Sequence, residues 1–202
     1  MLTEWLQLYT QSMTEAGYGG VIVLMALESS IVPIPSELVI PPAAYLAAVH
    51  HTFNLPLLVL AGTFGSWLGA TVMYVICRYF GRGWLLRLGS WLGITESKLL
   101  SMDRWVAQTG SGAVFMARLL PVVRHLIGIP MGLARMSYWR YSVMTLLGSG
   151  LWCAVLAWVG VAAGHDPQLL AGDVQRLSLW FGVGALLLFG VYVWLVRRHF
   201  KA

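Results

Sequence analysis

Three apolar runs, residues 57–77, 138–163 and 177–196, are each long enough to cross a bilayer as one helix, because a helix rises about 1.5 Å per residue and the hydrocarbon core is about 30 Å thick. Inside lipid a backbone must bond its own N–H and C=O groups, so single runs of this length fold as helices. The rest of the composition agrees. Hydrophobic residues make up 58% of the 202 residues, charged residues only 10%, and the mean hydropathy is +0.74. A soluble domain carries roughly 25% charged residues. A soluble globule, a disordered chain, a secreted disulfide scaffold and a basic nucleic-acid module are excluded on this ground. The chain reads as one polytopic membrane domain over 1–202.

Thirteen Lys and Arg against eight Asp and Glu leave a formal charge of +5. The cause is topological, since the basic residues gather in particular loops. Cys77 and Cys153 lie within apolar stretches and read as small core residues. His50 and His51 have no Cys or acidic cluster at ligand spacing, so neither a metal site nor a cofactor is expected. Residues 1–17 carry Glu4 and Glu15 and no Lys or Arg. They are expected to form an amphipathic segment on the outer face, with no cleaved signal peptide.

Two further stretches do not behave as ordinary spans. Residues 18–49 are too long for one crossing and too short for two, and Glu28, Pro33, Pro35, Glu37, Pro41 and Pro42 interrupt any continuous helix. A re-entrant helical hairpin satisfies both facts. Residues 112–134 have the length of a span but hold Arg118, Pro121, Arg124, Gly128, Pro130 and Gly132. If this stretch turns back, Arg78, Arg82, Arg87, Lys98, Arg104, Arg135, Arg140, Arg197, Arg198 and Lys201 share one side of the membrane, ten of the thirteen basic residues. The positive-inside rule favours that arrangement. The breakers are then Pro33 and Pro35 in the first hairpin, Pro121 and Gly132 in the second.

The layout expected is all-α, with two oppositely oriented re-entrant hairpins and three spanning helices. The amino terminus lies outside. A basic, amphipathic segment at 78–111 and the tail at 197–202 lie in the cytoplasm. A broken hairpin followed by a span occurs twice in opposite senses, the inverted-repeat arrangement of secondary transporters, which predicts hairpin tips meeting near the midplane. Gly65 with Gly69, Gly128 with Gly132, and Gly160 with Gly164 have the spacing of close helix contacts.

Glu28, Glu37, Arg118 and Arg124 are the ionisable groups inside apolar stretches. Each costs roughly 2.5–3.5 kcal/mol to insert on translocon scales. Facing one another, two carboxylates and two guanidiniums would neutralise the cluster. They could be clasps between the hairpins, but buried ion pairs fasten poorly compared with apolar packing. A role with cargo or protons is the favoured reading. Arg at both basic positions suits a planar fork that holds phosphate or carboxylate.

The segment Glu28-Ser-Ser-Ile-Val-Pro33-Ile-Pro35-Ser36-Glu37 resembles the first signature of the DedA family, also called SNARE-associated or VTT-domain membrane proteins. Phe115-Met-Ala-Arg118-Leu-Leu-Pro121-Val-Val-Arg124, with Gly132 and Met136, resembles the second, and Tyr74 to Gly83 resembles the segment between them. The resemblance covers about residues 15–165. Many members have Pro-Gly-Asp where this chain has Pro35-Ser36-Glu37. The resemblance implies lipid transport across the bacterial inner membrane, with undecaprenyl phosphate or phosphatidylethanolamine as cargo and the proton-motive force as a driver. It also assigns the family's acids to Glu28 and Glu37 and its arginines to Arg118 and Arg124.

The mechanism expected has Arg118 and Arg124 binding an anionic lipid phosphate while the tail stays in the bilayer. Glu28 and Glu37 take up and release protons, since desolvation favours a neutral acid and a neighbouring guanidinium a charged one. Four other readings stay open: a phosphatidylethanolamine flippase, a proton-coupled exporter of small cations, an intramembrane lipid phosphatase, and a structural assembly protein. Two fixed guanidiniums oppose a cationic cargo. No pair of histidines with supporting basic residues marks a phosphatase, so a non-enzyme is expected. The partners expected are a membrane lipid and protons, with no nucleic acid, and both a monomer and a homodimer fit.

Overall fold

The computed structural model describes residues 2–30, 36–81, 106, 110–120 and 123–165. Pro33, Pro35, Pro121, the run at 177–196, the tail at 197–202 and most of the segment at 78–111 lie outside the described residues. All regular structure among the described residues is helical. Helix α1 spans Leu2–Glu28, α2 Ile40–His50, α3 Leu55–Ile76, α4 Gly112–Arg118, α5 Val123–Leu126, α6 Gly128–Leu133 and α7 Tyr138–His165. A 3-10 turn covers Ser36–Leu38, and a π-helical turn, Cys77–Gly81, extends α3. Among the described residues two stretches, Leu55–Gly81 and Tyr138–Ala162, are long and apolar enough to cross a membrane. The first contains the run expected at 57–77, and the second matches the run expected at 138–163 to within one residue.

The chain divides into two units, Met1–Gly69 with Ser149–Phe181 and Ala70–Gly148 with Gly182–Ala202. In the first unit, α1 breaks at Gly17, whose φ of 56° and ψ of −150° only glycine adopts without strain. Pro41 and Pro42 stand in the first turn of α2, where a missing N–H costs nothing because those donors have no helical acceptor. Asn54 starts α3: its side-chain oxygen accepts from the Leu57 N–H at 3.4 Å, while its own N–H donates to the Tyr18 hydroxyl at 2.7 Å. The core packs Val21, Met25, Ile40, Ala44, Leu58 and Cys153. Trp152 Nε1 donates to Ser36 Oγ at 3.1 Å and so ties the 3-10 turn to α7.

Small residues let these backbones touch. A Cβ at Gly65 would stand 2.4 Å from the Ile22 carbonyl oxygen, and one at Gly69 2.1 Å from that of Ala26, so α3 lies directly on α1. Packing of this kind replaces the hydrophobic driving force that helices lose in lipid.

In the second unit, α4, α5 and α6 are short pieces folded on one another, and α6 packs on the π-helical turn. Tyr74, Val114, Ala117, Met131 and Tyr141 form the centre of its core. Helix α6 ends in a Schellman motif: the Met136 N–H donates to the Met131 carbonyl at 3.1 Å, and the Arg135 N–H to the Gly132 carbonyl, also at 3.1 Å. Arg135 occupies the left-handed position at φ 52°, where glycine is usual. That reversal directs the chain from α6 into α7.

Candidate functional site

A guanidinium in an apolar core must be hydrogen-bonded or must await a partner. Arg118, the last residue of α4, is 3% exposed and lies in the second unit. Its stem rests on α7 where Gly148 has no side chain, since a Cβ there would stand 2.6 Å from that of Arg118. Arg118 Nη2 donates to the Tyr141 hydroxyl at 3.0 Å. The Tyr141 hydroxyl in turn donates to the Ala70 carbonyl at 3.1 Å. A phenol has one proton, so giving it to Ala70 leaves a lone pair for the arginine and fixes the direction of the chain of bonds. Arg118 Nε is buried and has no hydrogen-bond partner among the described residues.

The Tyr141 ring stacks on Tyr74, with centroids 4.7 Å apart and planes at 22°. Arg78, the second residue of the π-helical turn, meets the Tyr74 member of that pair. Its Nη1 donates to the Tyr74 hydroxyl and, at 3.0 Å, to the Met136 carbonyl, and its guanidinium lies 5.7 Å from the Tyr74 ring centre. The Tyr74 hydroxyl also donates to the Met136 carbonyl. Two arginines therefore each meet one of two stacked tyrosines within one unit.

Arg124, on α5, is 6% exposed and belongs to the same unit as Arg118. Gly132 is buried on α6, with the position of its missing Cβ 2.6 Å from the Tyr74 carbonyl oxygen. The two acids lie in the other unit. Glu28 closes α1 at 2% exposure, and its Oε2 accepts from Ser29 Oγ at 3.4 Å. Glu37 is half-buried in the 3-10 turn. Sequence reasoning did not single out Tyr141 or Arg78 for the site. Tyr141 stands in a run of ordinary apolar character, and Arg78 was counted among the basic residues that follow a span. The usable signal was the i, i+4 spacing of Tyr74 and Arg78, which puts them on one helix face.

Replacing Tyr141 with phenylalanine removes the acceptor for Arg118 and the donor for Ala70. A thermal melt of the detergent-solubilised protein is expected to show a loss of about 1.5–3 kcal/mol, the range for hydrogen bonds to charged groups. A melt unchanged from wild type contradicts the bond network.

A VTT domain family model matches residues 40–162, more than half of the chain. The chain belongs to the VTT-domain (DedA) family. This VTT-domain protein is 33% identical over 182 residues to Undecaprenyl phosphate transporter A of Bacillus subtilis (strain 168), covering 89% of each chain. It is 31% identical over 150 residues to Undecaprenyl phosphate transporter A of Staphylococcus aureus (strain NCTC 8325 / PS 47), covering 72% of this chain and 73% of that one. A third relative, from Lactococcus lactis subsp. lactis (strain IL1403), is 28% identical over 201 residues, 96% of this chain and 94% of its own, and is named Alkaline phosphatase-like protein. No solved structure matches. With its two apolar helices and these relatives, the VTT-domain chain is a membrane protein.

Proposed function

We propose that this protein moves an anionic, phosphate-headed lipid, undecaprenyl phosphate, across the bacterial cytoplasmic membrane, with its amino terminus outside and its carboxyl terminus in the cytoplasm. The observation that carries the proposal is the buried guanidinium of Arg118, whose Nε has no acceptor among the described residues. Leaving such a donor unsatisfied is costly, and a phosphate oxygen is the acceptor that a planar guanidinium fits best. Two relatives at 31–33% identity named for transport of undecaprenyl phosphate support the cargo. Arg118 and Arg124 bind the headgroup, and the lipid tail stays among the acyl chains. Glu28 and Glu37 exchange the protons that couple movement to the proton gradient. The burial of Glu28 supports this, because an ionisable group carried into an apolar interior is costly and commonly marks a proton or ion pathway.

The test is reconstitution of the full chain in vesicles with labelled undecaprenyl phosphate, phosphatidylethanolamine or phosphatidylglycerol. Undecaprenyl phosphate is expected to change leaflet several-fold faster than in protein-free vesicles and faster still under a pH gradient. Glu28→Gln is expected to keep the basal rate and lose the response to the gradient. Movement of phosphatidylethanolamine alone transfers the proposal to that lipid. The name of the Lactococcus relative favours a second reading, a lipid phosphatase. Release of inorganic phosphate without movement of lipid decides for it.

A further inference from the structure

We propose that Arg78 is a second phosphate station, through which the lipid headgroup passes on its way to or from Arg118. The proposal rests on the transport reading above and deepens it. Three features set Arg78 apart from an ordinary loop arginine. First, it is only half-buried, whereas Arg118 is 3% exposed, so these two guanidiniums differ in how open they are to the surroundings of the protein. Second, a single nitrogen of Arg78, Nη1, holds both of its protein bonds, to the Tyr74 hydroxyl and the Met136 carbonyl. Among the described residues Nε and Nη2 have no acceptor and no acidic side chain pairs with Arg78, which leaves those nitrogens to an outside acceptor. A guanidinium anchored at one corner keeps a fixed plane and still offers the geometry that two phosphate oxygens accept.

The third feature is how the anchor is made. The Met136 carbonyl is presented by the Schellman turn that ends α6, and Arg135 holds the left-handed position of that turn. A non-glycine residue there costs on the order of 1 kcal/mol, so the turn is held by its surroundings and not by local preference. Arg78 itself lies on the π-helical turn, an irregularity frequent at functional sites.

Arg78 and Arg118 are joined through the stacked rings of Tyr74 and Tyr141, each phenol bonded to one guanidinium. Arg78 follows Ala70, the acceptor of the Tyr141 hydroxyl, by about two helical turns along α3. A phosphate released from one arginine thus finds the next across a short aromatic partition, and neither guanidinium has to leave its phenol. Loading occurs at Arg78, the more open of the two. Full desolvation follows at Arg118.

The experiment measures movement of undecaprenyl phosphate in vesicles as a function of its mole fraction, for the wild type and for Arg78→Gln and Arg78→Lys. Melts of the same preparations report folding. Arg78→Gln is expected to raise the half-saturating mole fraction about tenfold while the maximal rate stays within about twofold, with a melt close to wild type. Arg78→Lys, which keeps charge and loses the fork, is expected to fall between. A half-saturation unchanged in Arg78→Gln overturns the station. So does a fall confined to the maximal rate and the melt, which is what a purely structural clasp to Met136 produces. A wild type that moves none of the lipids overturns the transport reading itself and takes this proposal with it. If Arg78→Gln is too unstable to reconstitute, binding of farnesyl phosphate to wild type and Arg78→Lys in detergent, by calorimetry, serves instead. Equal affinity then overturns the station.

Discussion

Arg118→Ala is expected to abolish the protein-dependent movement of undecaprenyl phosphate, returning it to the rate of protein-free vesicles. The loss follows from removing one partner of a desolvated ion pair, which costs about 3–5 kcal/mol, where each 1.4 kcal/mol is a factor of ten. Arg124→Ala is expected to act in the same direction. The effect on folding should be different. Tyr141 keeps its bond to the Ala70 carbonyl without the arginine, and the membrane no longer has to accommodate a buried charge. The melt of Arg118→Ala is therefore expected to stay within a few degrees of wild type. Vesicle flux and a detergent melt on the same preparation check both halves. Were Arg118 a clasp, the melt would fall steeply and the flux per folded molecule would hold.

The largest effect on stability is expected at Gly69. Any side chain there starts with a Cβ 2.1 Å from the Ala26 carbonyl oxygen and 2.9 Å from its carbon. Both are backbone atoms of α1, which cannot rotate away as a side chain does. Helices α1 and α3 must separate along the contact, with Gly65 to Ile22 opening as well. Gly69→Val is expected to cost about 3 kcal/mol or more, at or beyond the upper end of overpacking in a close-packed core. The measured result should be a strongly lowered melting temperature in detergent and a small folded yield. Gly19, on the same α1, is the control, since a Cβ added there meets nothing within 4 Å. Gly19→Ala should be neutral or mildly stabilising, as alanine favours helix over glycine by about 1 kcal/mol. Equal melts for the two variants would show that α3 does not lie on α1 as described.

Particular residues show how far the sequence could be read. The runs at 57–77 and 138–163 became α3 and α7 because uninterrupted apolar sequence in lipid has helix as its available form. Gly65 and Gly69 could be read as a helix contact from their spacing, since two small residues one turn apart make a flat strip on one face. The burial of Glu28, Arg118 and Arg124 was also readable, because a charge within an apolar run has few exits to water. Arg78 was hidden by its position: a basic residue just after a span looks like a topology signal. The Schellman turn at the end of α6 was hidden because Arg135 stands where the usual glycine marker would be.

Sequence alone determined that the chain is an apolar helical protein, which stretches become its long helices, and which charged groups those stretches carry into oil. Those properties depend on composition and on period along the chain. The tertiary structure decided which neighbours those charges meet: the phenol of Tyr141 for Arg118, and the phenol of Tyr74 with the Met136 carbonyl for Arg78. Hydrogen bonds between residues 23 and 58 positions apart depend on where the helices cross, and no local pattern encodes the crossing.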